Sequence, residues 1–198
     1  MNINQEFIKV DKVSQDLLDA FLKPYKQDCK YLKKAQFQYP LSSDLIENPT
    51  TNVKSLWFIK ADFSIPESCY IDDTGHFNSV EFNICYNQLF YIIIAYLVKN
   101  QLLEVMKSWN LETYRYRQLR DFLIVKFSST FKKPINSNHF KGALSINKVS
   151  TRGNLIMLKT SCAFYDDNGG WSEGDVTIAI LNHKDELAIE NGHRSVLA

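Results

Sequence analysis

The alternation of hydrophobic and polar residues along the chain breaks most sharply between positions 70 and 101. There, a segment rich in carboxylates, amides and one histidine leads into ten consecutive apolar or aromatic residues, Leu89–Val98. A helix that is apolar on nearly all sides is a buried helix. The pattern therefore predicts a buried helix from about Asn78 to Leu103, with Gly75 permitting a tight reversal before it and Asn78 or Ser79 capping its first turn.

On either side of this helix, loose alternation of apolar and polar residues predicts strands. Before the helix we expect a loose lead-in over 1–13, a short amphipathic helix over 14–22 that Ser14 can cap, and strands over 31–39 and 53–65 joined by a loop over 40–52. After it we expect a connection over 109–120 whose Arg115, Arg117 and Arg120 form a solvated basic face, then strands over 121–131, 140–150, 154–165 and 174–181, the last two joined by a loop over 166–174.

Consecutive strands around a single apolar helix favour an α+β domain in which a curved antiparallel sheet wraps the helix. With 198 residues, the chain is long enough for one domain with a sizeable core. We expect that domain to span residues 1–182 and a flexible tail to span 183–198. The fold needs no disulfide or structural metal.

The overall charge weighs against nucleic acid as a partner, since Lys plus Arg total 23 against 22 for Asp plus Glu. The N-terminus shows no secretory signal, and the apolar run is far shorter than the roughly 20 residues of a membrane span. We expect a cytoplasmic protein without a membrane span. The four cysteines form no C-x-x-C pair and no metal-like spacing with the histidines, so we expect them to be reduced and mostly buried, and we expect no metal or other cofactor.

The polar segment before the apolar run is the candidate site. A helix N-terminus presents N–H groups without partners and the positive end of a dipole, which together stabilise an oxyanion or polarise a carbonyl. Asp72, Asp73, His76 and Glu81 surround that end and are candidate acids and bases. The two aspartates are equally well explained as turn residues, and His76 as a hydrogen-bonded core histidine. Asn87 is harder to explain structurally, because a mid-helix amide is costly to bury.

The residues of this segment resemble a known family, the FcoT-like long-chain fatty acyl-CoA thioesterases, which have the hot-dog fold. The likeness extends in the same order over roughly residues 17 to 182. It rests on Tyr70, Thr74–Asn78, Val80–Glu81 and Asn87–Leu89, and on the segments 22–25, 29–32, 35–36, 128–136 and 167–170. Asp72 to Asn78, D-x-x-G-H-x-N, is also similar to a signature of the wider hot-dog thioesterases.

The resemblance implies thioester chemistry on an acyl-CoA or an acyl-carrier-protein substrate. By motif, the tyrosines and asparagines tied to activity in the family fall on Tyr25, Tyr70, Asn78 and Asn87. We expect the thioester carbonyl at the helix N-terminus, with Glu81, or Asp72 together with His76, activating water as the general base. Residues expected to bind substrate are Gly75, Phe77, Phe82, Tyr86 and Phe90, the last three along an acyl tunnel, with Lys132 and Lys133 meeting phosphates of the CoA or pantetheine arm.

Three functions stay open at this point. The first is hydrolysis of a fatty acyl thioester. The second, implied by family relatives in isonitrile lipopeptide biosynthesis, is addition of an amino acid amine such as that of glycine to an enoyl-carrier-protein thioester, followed by hydrolysis. The third is acyl binding without catalysis. The resemblance also implies a homodimer or a trimer of dimers, with Tyr25 or strand residues reaching across the subunit interface.

Overall fold

The computed structural model describes residues 3, 7–40, 57–72 and 74–182. Three α-helices and seven β-strands occupy these residues, and two short 3₁₀ turns lie at Gln27–Cys29 and Glu104–Met106. In chain order the elements are β1 (Phe7–Lys12), α1 (Gln15–Leu22), β2 (Leu32–Pro40), β3 (Trp57–Phe63), α2 (Ser79–Lys99), α3 (Leu111–Arg117), β4 (Phe122–Lys133), β5 (Phe140–Arg152), β6 (Leu155–Tyr165) and β7 (Trp171–Leu181).

All seven strands form one antiparallel sheet with the order β1-β2-β3-β5-β6-β7-β4. The apolar helix α2 lies across one face of it. Phe82 near the start of α2 makes edge contacts with Phe127 and Phe164, and Tyr96 near its end stacks on Phe37 with ring centroids 4.3 Å apart. The architecture is the predicted hot-dog fold, a sheet around a central helix.

Helix α2 has 21 residues and ends at Lys99, four residues before the predicted end. Beyond it the chain turns at Gln101, which has a positive φ of 54° and whose side-chain amide donates to the carbonyls of Val98 and Trp109. Helix α2 is long and apolar enough to cross a membrane, yet 72% of its most apolar stretch is buried within the protein. That burial is typical of the core helix of a globular domain.

Several local predictions need correction. Within the predicted loose lead-in, Phe7–Lys12 instead pairs with β2 as an edge strand. Ser14 sits at the N-cap position of α1 but its side chain makes no capping hydrogen bond. Arg117 does not lie on a solvated face: it is buried, and its guanidinium contacts Asp121 at 2.6 Å and stacks 4.4 Å from the ring of Trp109.

The prediction that all cysteines are reduced is wrong for two of them. Cys29 and Cys69 form a disulfide between residues 40 positions apart, whereas Cys85 and Cys162 are free and buried as predicted. The pairing depends on tertiary contacts that spacing does not reveal. The hydroxyl of Tyr31 accepts a hydrogen bond from the Cys69 N–H, and the side chain of Gln88 donates to the Cys29 carbonyl, so the Cys29 segment is held by α2 and the Cys69 segment by Tyr31.

Some predictions fall outside the described residues. They concern the loop over 41–52, the beginning of the predicted second strand at 53–56, and the tail at 183–198.

Candidate active site

Asn78 is the N-cap of α2 and the centre of the polar segment. Its backbone is extended, with φ −119° and ψ −177°, and its side-chain oxygen accepts hydrogen bonds from the N–H groups of Val80 at 2.9 Å and Glu81 at 3.3 Å. The carboxylate of Glu81 accepts a hydrogen bond from the Asn78 N–H at 3.1 Å, and this second bond completes a capping box. The first turn of α2 is therefore rigidly tied to the residue that precedes it.

Tyr70 approaches the same amide from the preceding loop. Its hydroxyl donates to the Asn78 side-chain oxygen at 2.8 Å, although 43% of the residue is exposed. The Asn78 side-chain oxygen thus accepts three hydrogen bonds. Because only the oxygen of the amide can accept, these bonds identify which terminal atom is oxygen and which is nitrogen. The NH₂ group of Asn78 is left without a partner among the described residues.

The first turn of α2 supplies a second donor. The first N–H groups of a helix have no partner within it. In α2 the cap satisfies those of Val80 and Glu81, and the N–H of Ser79 has no partner within the described part of the chain. Two hydrogen-bond donors at the positive end of the helix dipole form a candidate oxyanion site.

His76 lies just before the cap, after the reversal at Gly75, whose φ of +76° is the positive value that favours glycine. The Nδ1 atom of His76 is 3.0 Å from the carbonyl of Thr74. A carbonyl only accepts, so this contact places the proton on Nδ1 and leaves Nε2 with a lone pair in the neutral ring. The imidazole is exposed, not the core histidine that the sequence also allowed.

These groups border an open cavity of about 420 Å³. One wall is the segment that leads into α2, and the other is the end of the edge strand β4. The lining residues are His76, Phe77, Asn78, Ser79, Phe131, Lys132, Lys133 and Pro134. Sequence reasoning missed Phe131 and Pro134 as wall residues, although the family-like segment 128–136 contains both.

Phe77 anchors this wall to the core. Its ring is buried and lies 4.9 Å from that of Phe140 and 5.2 Å from that of Phe164, while its N–H donates to the carbonyl of Ile135. The apolar contact fixes the position of the two polar residues on either side of Phe77.

The two lysines of the cavity differ in their partners. Lys132 donates to the carboxylate of Glu173 at 2.5 Å, and this hydrogen bond holds the pKa of Glu173 below its usual range. Lys133 makes no ion pair with a carboxylate of the described residues. Lys133 is thus the more available of the two cations for an anionic ligand.

The two candidate acids lie in contrasting surroundings. Glu81 is buried, with 3% of its surface exposed, and one of its oxygens is engaged in the capping box. Asp72 is exposed and makes no hydrogen bond to another described residue. Asp73 lies outside the described residues. The structure brings His76 and Asn78 together at the cavity, but it does not place either acid among the lining residues.

Two further residues expected at the site lie along α2. Asn87 is nine residues after Asn78, about 13 Å along the helix axis, and donates to the Asn83 side chain at 2.6 Å. Tyr25 packs on Tyr91, with ring centroids 6.3 Å apart, and burial raises its pKa. Neither residue is among those that line the cavity at the head of α2.

The residues expected to line an acyl tunnel are core residues. Phe82, Tyr86 and Phe90 are at most 1% exposed. They contact sheet aromatics, and the Tyr86 hydroxyl is 2.8 Å from that of Thr160. An acyl chain would enter here only if one of these rings moved aside.

Cys85, a buried thiol in the first half of α2, is not a suitable nucleophile. Burial raises the pKa of its thiol well above the usual value, and the nearby Glu81 raises it further. The neutral form is therefore strongly favoured, whereas nucleophilic attack needs the thiolate.

Comparison with known proteins places the chain in a family. The family model for the FcoT-like thioesterase domain matches residues 20–180. The chain belongs to this family, and it has the family's hot-dog architecture.

Relatives of this chain carry a more specific name. A (2E)-enoyl-[ACP] glycyltransferase of Streptomyces coeruleorubidus is 39% identical over 171 residues, which cover 84% of this chain and 96% of the relative. One from Mycobacterium tuberculosis is 35% identical over 174 residues, covering 86% and 88% respectively.

Among solved structures, similar chains include a thioesterase of Pseudomonas aeruginosa, with 10% identity and a TM-score of 0.46, covering 86% of this chain and 96% of that one. Another is a putative thioesterase of Syntrophus aciditrophicus, with 9% identity and a TM-score of 0.47, covering 83% and 93%.

Proposed function

We propose that this protein adds the amine of glycine to the β-carbon of a (2E)-enoyl thioester carried on an acyl carrier protein. The observation that favours this over simple hydrolysis is the name shared by relatives at 35–39% identity, which cover most of the chain. Hydrolysis of a fatty acyl thioester, the main expectation from the sequence, has support only from the family's name.

The residues at the head of α2 suit the addition. As the neutral amine nitrogen bonds to the β-carbon, the electrons of the carbon–carbon double bond move toward the thioester carbonyl and leave negative charge on its oxygen. The NH₂ group of Asn78 and the N–H of Ser79 would donate to that oxygen. Removing one such donor typically costs about 10²–10³ in rate.

Proton transfer completes the reaction. Nε2 of His76 would take the proton that the nitrogen loses on bond formation, and the α-carbon gains one proton. The net change is addition of N–H across the double bond, so atoms and electrons balance without an oxidant or reductant. Hydrolysis of the thioester after addition would use the same oxyanion donors.

The test offers the purified protein an enoyl-carrier thioester with and without glycine, and measures both the carrier-bound acyl group and any released acid by mass spectrometry. We expect a product heavier by one glycine that appears only with both reactants. The saturated acyl thioester is the matched control, because it lacks the double bond and can only be hydrolysed. Release of the free enoic acid with no glycine adduct would reject addition and restore the hydrolase assignment. Tight acyl binding with neither product would leave the non-catalytic function.

We also infer that the protein is a homodimer joined through β4. Hot-dog domains usually form oligomers, and β4 is a strand of 12 residues at the edge of the sheet. Its Leu123, Ile124 and Val125 are 44, 39 and 55% exposed in the protomer. An exposed apolar edge strand favours pairing with another chain. Since Phe131 and Lys133 belong to the same strand, a partner at this edge would border the cavity.

A further inference from the structure

A second cavity, of about 660 Å³, lies where the start of α1 meets the sheet. It is bordered by the end of β1, by the start of α1 and by the adjacent ends of β2, β3, β5 and β6. Its lining residues are Lys12, Val13, Gln15, Leu18, Lys33, Lys34, Ala35, Gln36, Lys60, Ala61, Asp62, Lys141 and Tyr165. We call it the basic cavity.

The basic cavity concentrates positive charge in a protein whose net charge is close to zero. Its lining includes five lysines and one aspartate, whereas the whole chain has a net charge of +1. Lys141 is paired with Asp167 at 2.7 Å. Within the described part of the chain, Lys34 and Lys60 have no ion pair with a carboxylate.

Lys60 is a partly buried cation of the basic cavity, and burial disfavours its charged form. Burial lowers the pKa of its ammonium group, and no neighbouring anion among the described residues offsets that effect. The group lies 5.9 Å from the ring of Phe58, on the face of the sheet away from α2. A half-buried cation without a compensating anion is stabilised when a ligand supplies the negative charge.

The basic cavity and the site at the head of α2 share one end of the sheet. Phe63 and Phe140 lie in register at that end and point toward α2, where Phe140 supports Phe77. Their chain neighbours Asp62 and Lys141 point to the opposite face, because successive side chains of a strand alternate. A protein bound at the basic cavity is therefore separated from Asn78 by the end of the sheet.

We propose that the basic cavity is the docking surface for the acidic face of the acyl carrier protein that delivers the enoyl thioester. This inference rests on the proposed function for the identity of the carrier. Charge complementarity argues for it: carrier proteins present acidic side chains around the serine that bears the pantetheine arm, and a flexible arm allows the thioester to be far from the docking surface. Such contacts steer association and weaken with added salt.

The test reverses the charge of two lysines of the basic cavity in the full chain, with the double variant Lys34→Glu and Lys60→Glu. Lys148 and Lys159 provide the control, since they pair with each other across β5 and β6 and are exposed outside the basic cavity. Three substrates carry the same enoyl group: a type II acyl carrier protein, coenzyme A and N-acetylcysteamine. With glycine present, we expect kcat/KM for the carrier substrate to fall about tenfold or more, mainly through KM, and the loss to shrink with salt.

The other two substrates distinguish the source of the effect. Docking of the carrier protein predicts unchanged kcat/KM for the N-acetylcysteamine and coenzyme A thioesters, and little change in Lys148→Glu with Lys159→Glu. An equal loss with coenzyme A would assign the basic cavity to a phosphate group and overturn the proposal. So would an equal loss with all three substrates, or no loss with any.

Direct binding separates this proposal from the proposed function. Isothermal titration calorimetry of the holo carrier protein with the wild-type chain measures their affinity without requiring catalysis. We expect the double variant to weaken that binding about tenfold. If the wild type forms no glycine adduct yet shows this difference in binding, the proposed reaction is wrong and the docking surface stands. Equal affinity of both proteins for the carrier rejects the docking surface.

Discussion

A single amide, Asn78, combines a structural and a chemical role at the residue scale. Its side-chain oxygen accepts hydrogen bonds from the first turn of α2 and from Tyr70, and this leaves its NH₂ group to bind a ligand. The two roles reside on different atoms, so a substitution can separate them. Aspartate caps helices as well as asparagine does but has no NH₂ group.

Asn78→Asp should therefore leave stability nearly unchanged and reduce activity about 10²–10³-fold. The loss has two physical causes, a missing donor and a negative charge beside the developing oxyanion. Thermal unfolding and the rate of glycine adduct formation are the two measurements. Asn110→Asp is the matched control, because Asn110 caps α3 by the same type of bond, to the Thr113 N–H at 2.8 Å. Full activity in Asn78→Asp would exclude the amide from the oxyanion site.

Tyr70→Phe removes the hydroxyl that holds the Asn78 amide from the solvent side. We expect about a tenfold or greater loss of kcat, because the amide gains freedom to turn away from the cavity. Stability should change by only about 1 kcal/mol, since the lost hydrogen bond is exposed. Kinetics with saturating enoyl thioester test this, with Tyr116→Phe on the exposed surface of α3 as the control. An unchanged kcat would show that Tyr70 does not position Asn78.

At the scale of elements, the segment that carries Tyr70 is held by a covalent link. The Cys29–Cys69 disulfide joins it to the turn before β2, and Gln88 of α2 binds both sides of that turn through the Cys29 carbonyl and the N–H groups of Tyr31 and Leu32. The loop before α2 is therefore positioned by a cross-link and by the helix together.

Cys29→Ser with Cys69→Ser should lower the free energy of unfolding by about 2–4 kcal/mol, because the unfolded chain loses a constraint. Denaturant unfolding with and without dithiothreitol measures the effect. The wild type should lose stability on reduction, whereas the double variant should not respond. A wild type indifferent to the reductant would mean that the disulfide contributes nothing to folding.

At the scale of the whole molecule, the edge strand β4 links assembly to the site. Val125→Glu places a charge on the exposed apolar edge, and burying it in a dimer interface without a partner is costly. We expect light scattering to show a dimer for the wild type and a monomer for the variant, with reduced activity in the monomer because the partner chain no longer borders the cavity. Val10→Glu is the control, since Val10 is 49% exposed on the opposite edge strand. A monomeric wild type would refute the inferred dimer.

The broad architecture was predictable from the sequence because it depends on local periodicity. The apolar run could only be a buried helix, and the long alternating segments after it became β4 to β7 within a few residues of their predicted ends. Asn78 was predictable as a cap for the same reason, since capping depends on residues within one turn. Strand β1 was not, because a short strand at the edge is stabilised mainly by its partner β2, which lies far along the chain.

The sequence by itself determined the α+β class, the buried helix and the polar residues at its head, all of which follow from spacing over a few residues. Tertiary structure alone decided which of those residues share a cavity: it joined His76 and Asn78 to the end of β4, kept Asn87 and Tyr25 away, paired Cys29 with Cys69, and gathered five lysines from four strands into the basic cavity. These contacts connect residues distant in the chain, and no local pattern encodes them.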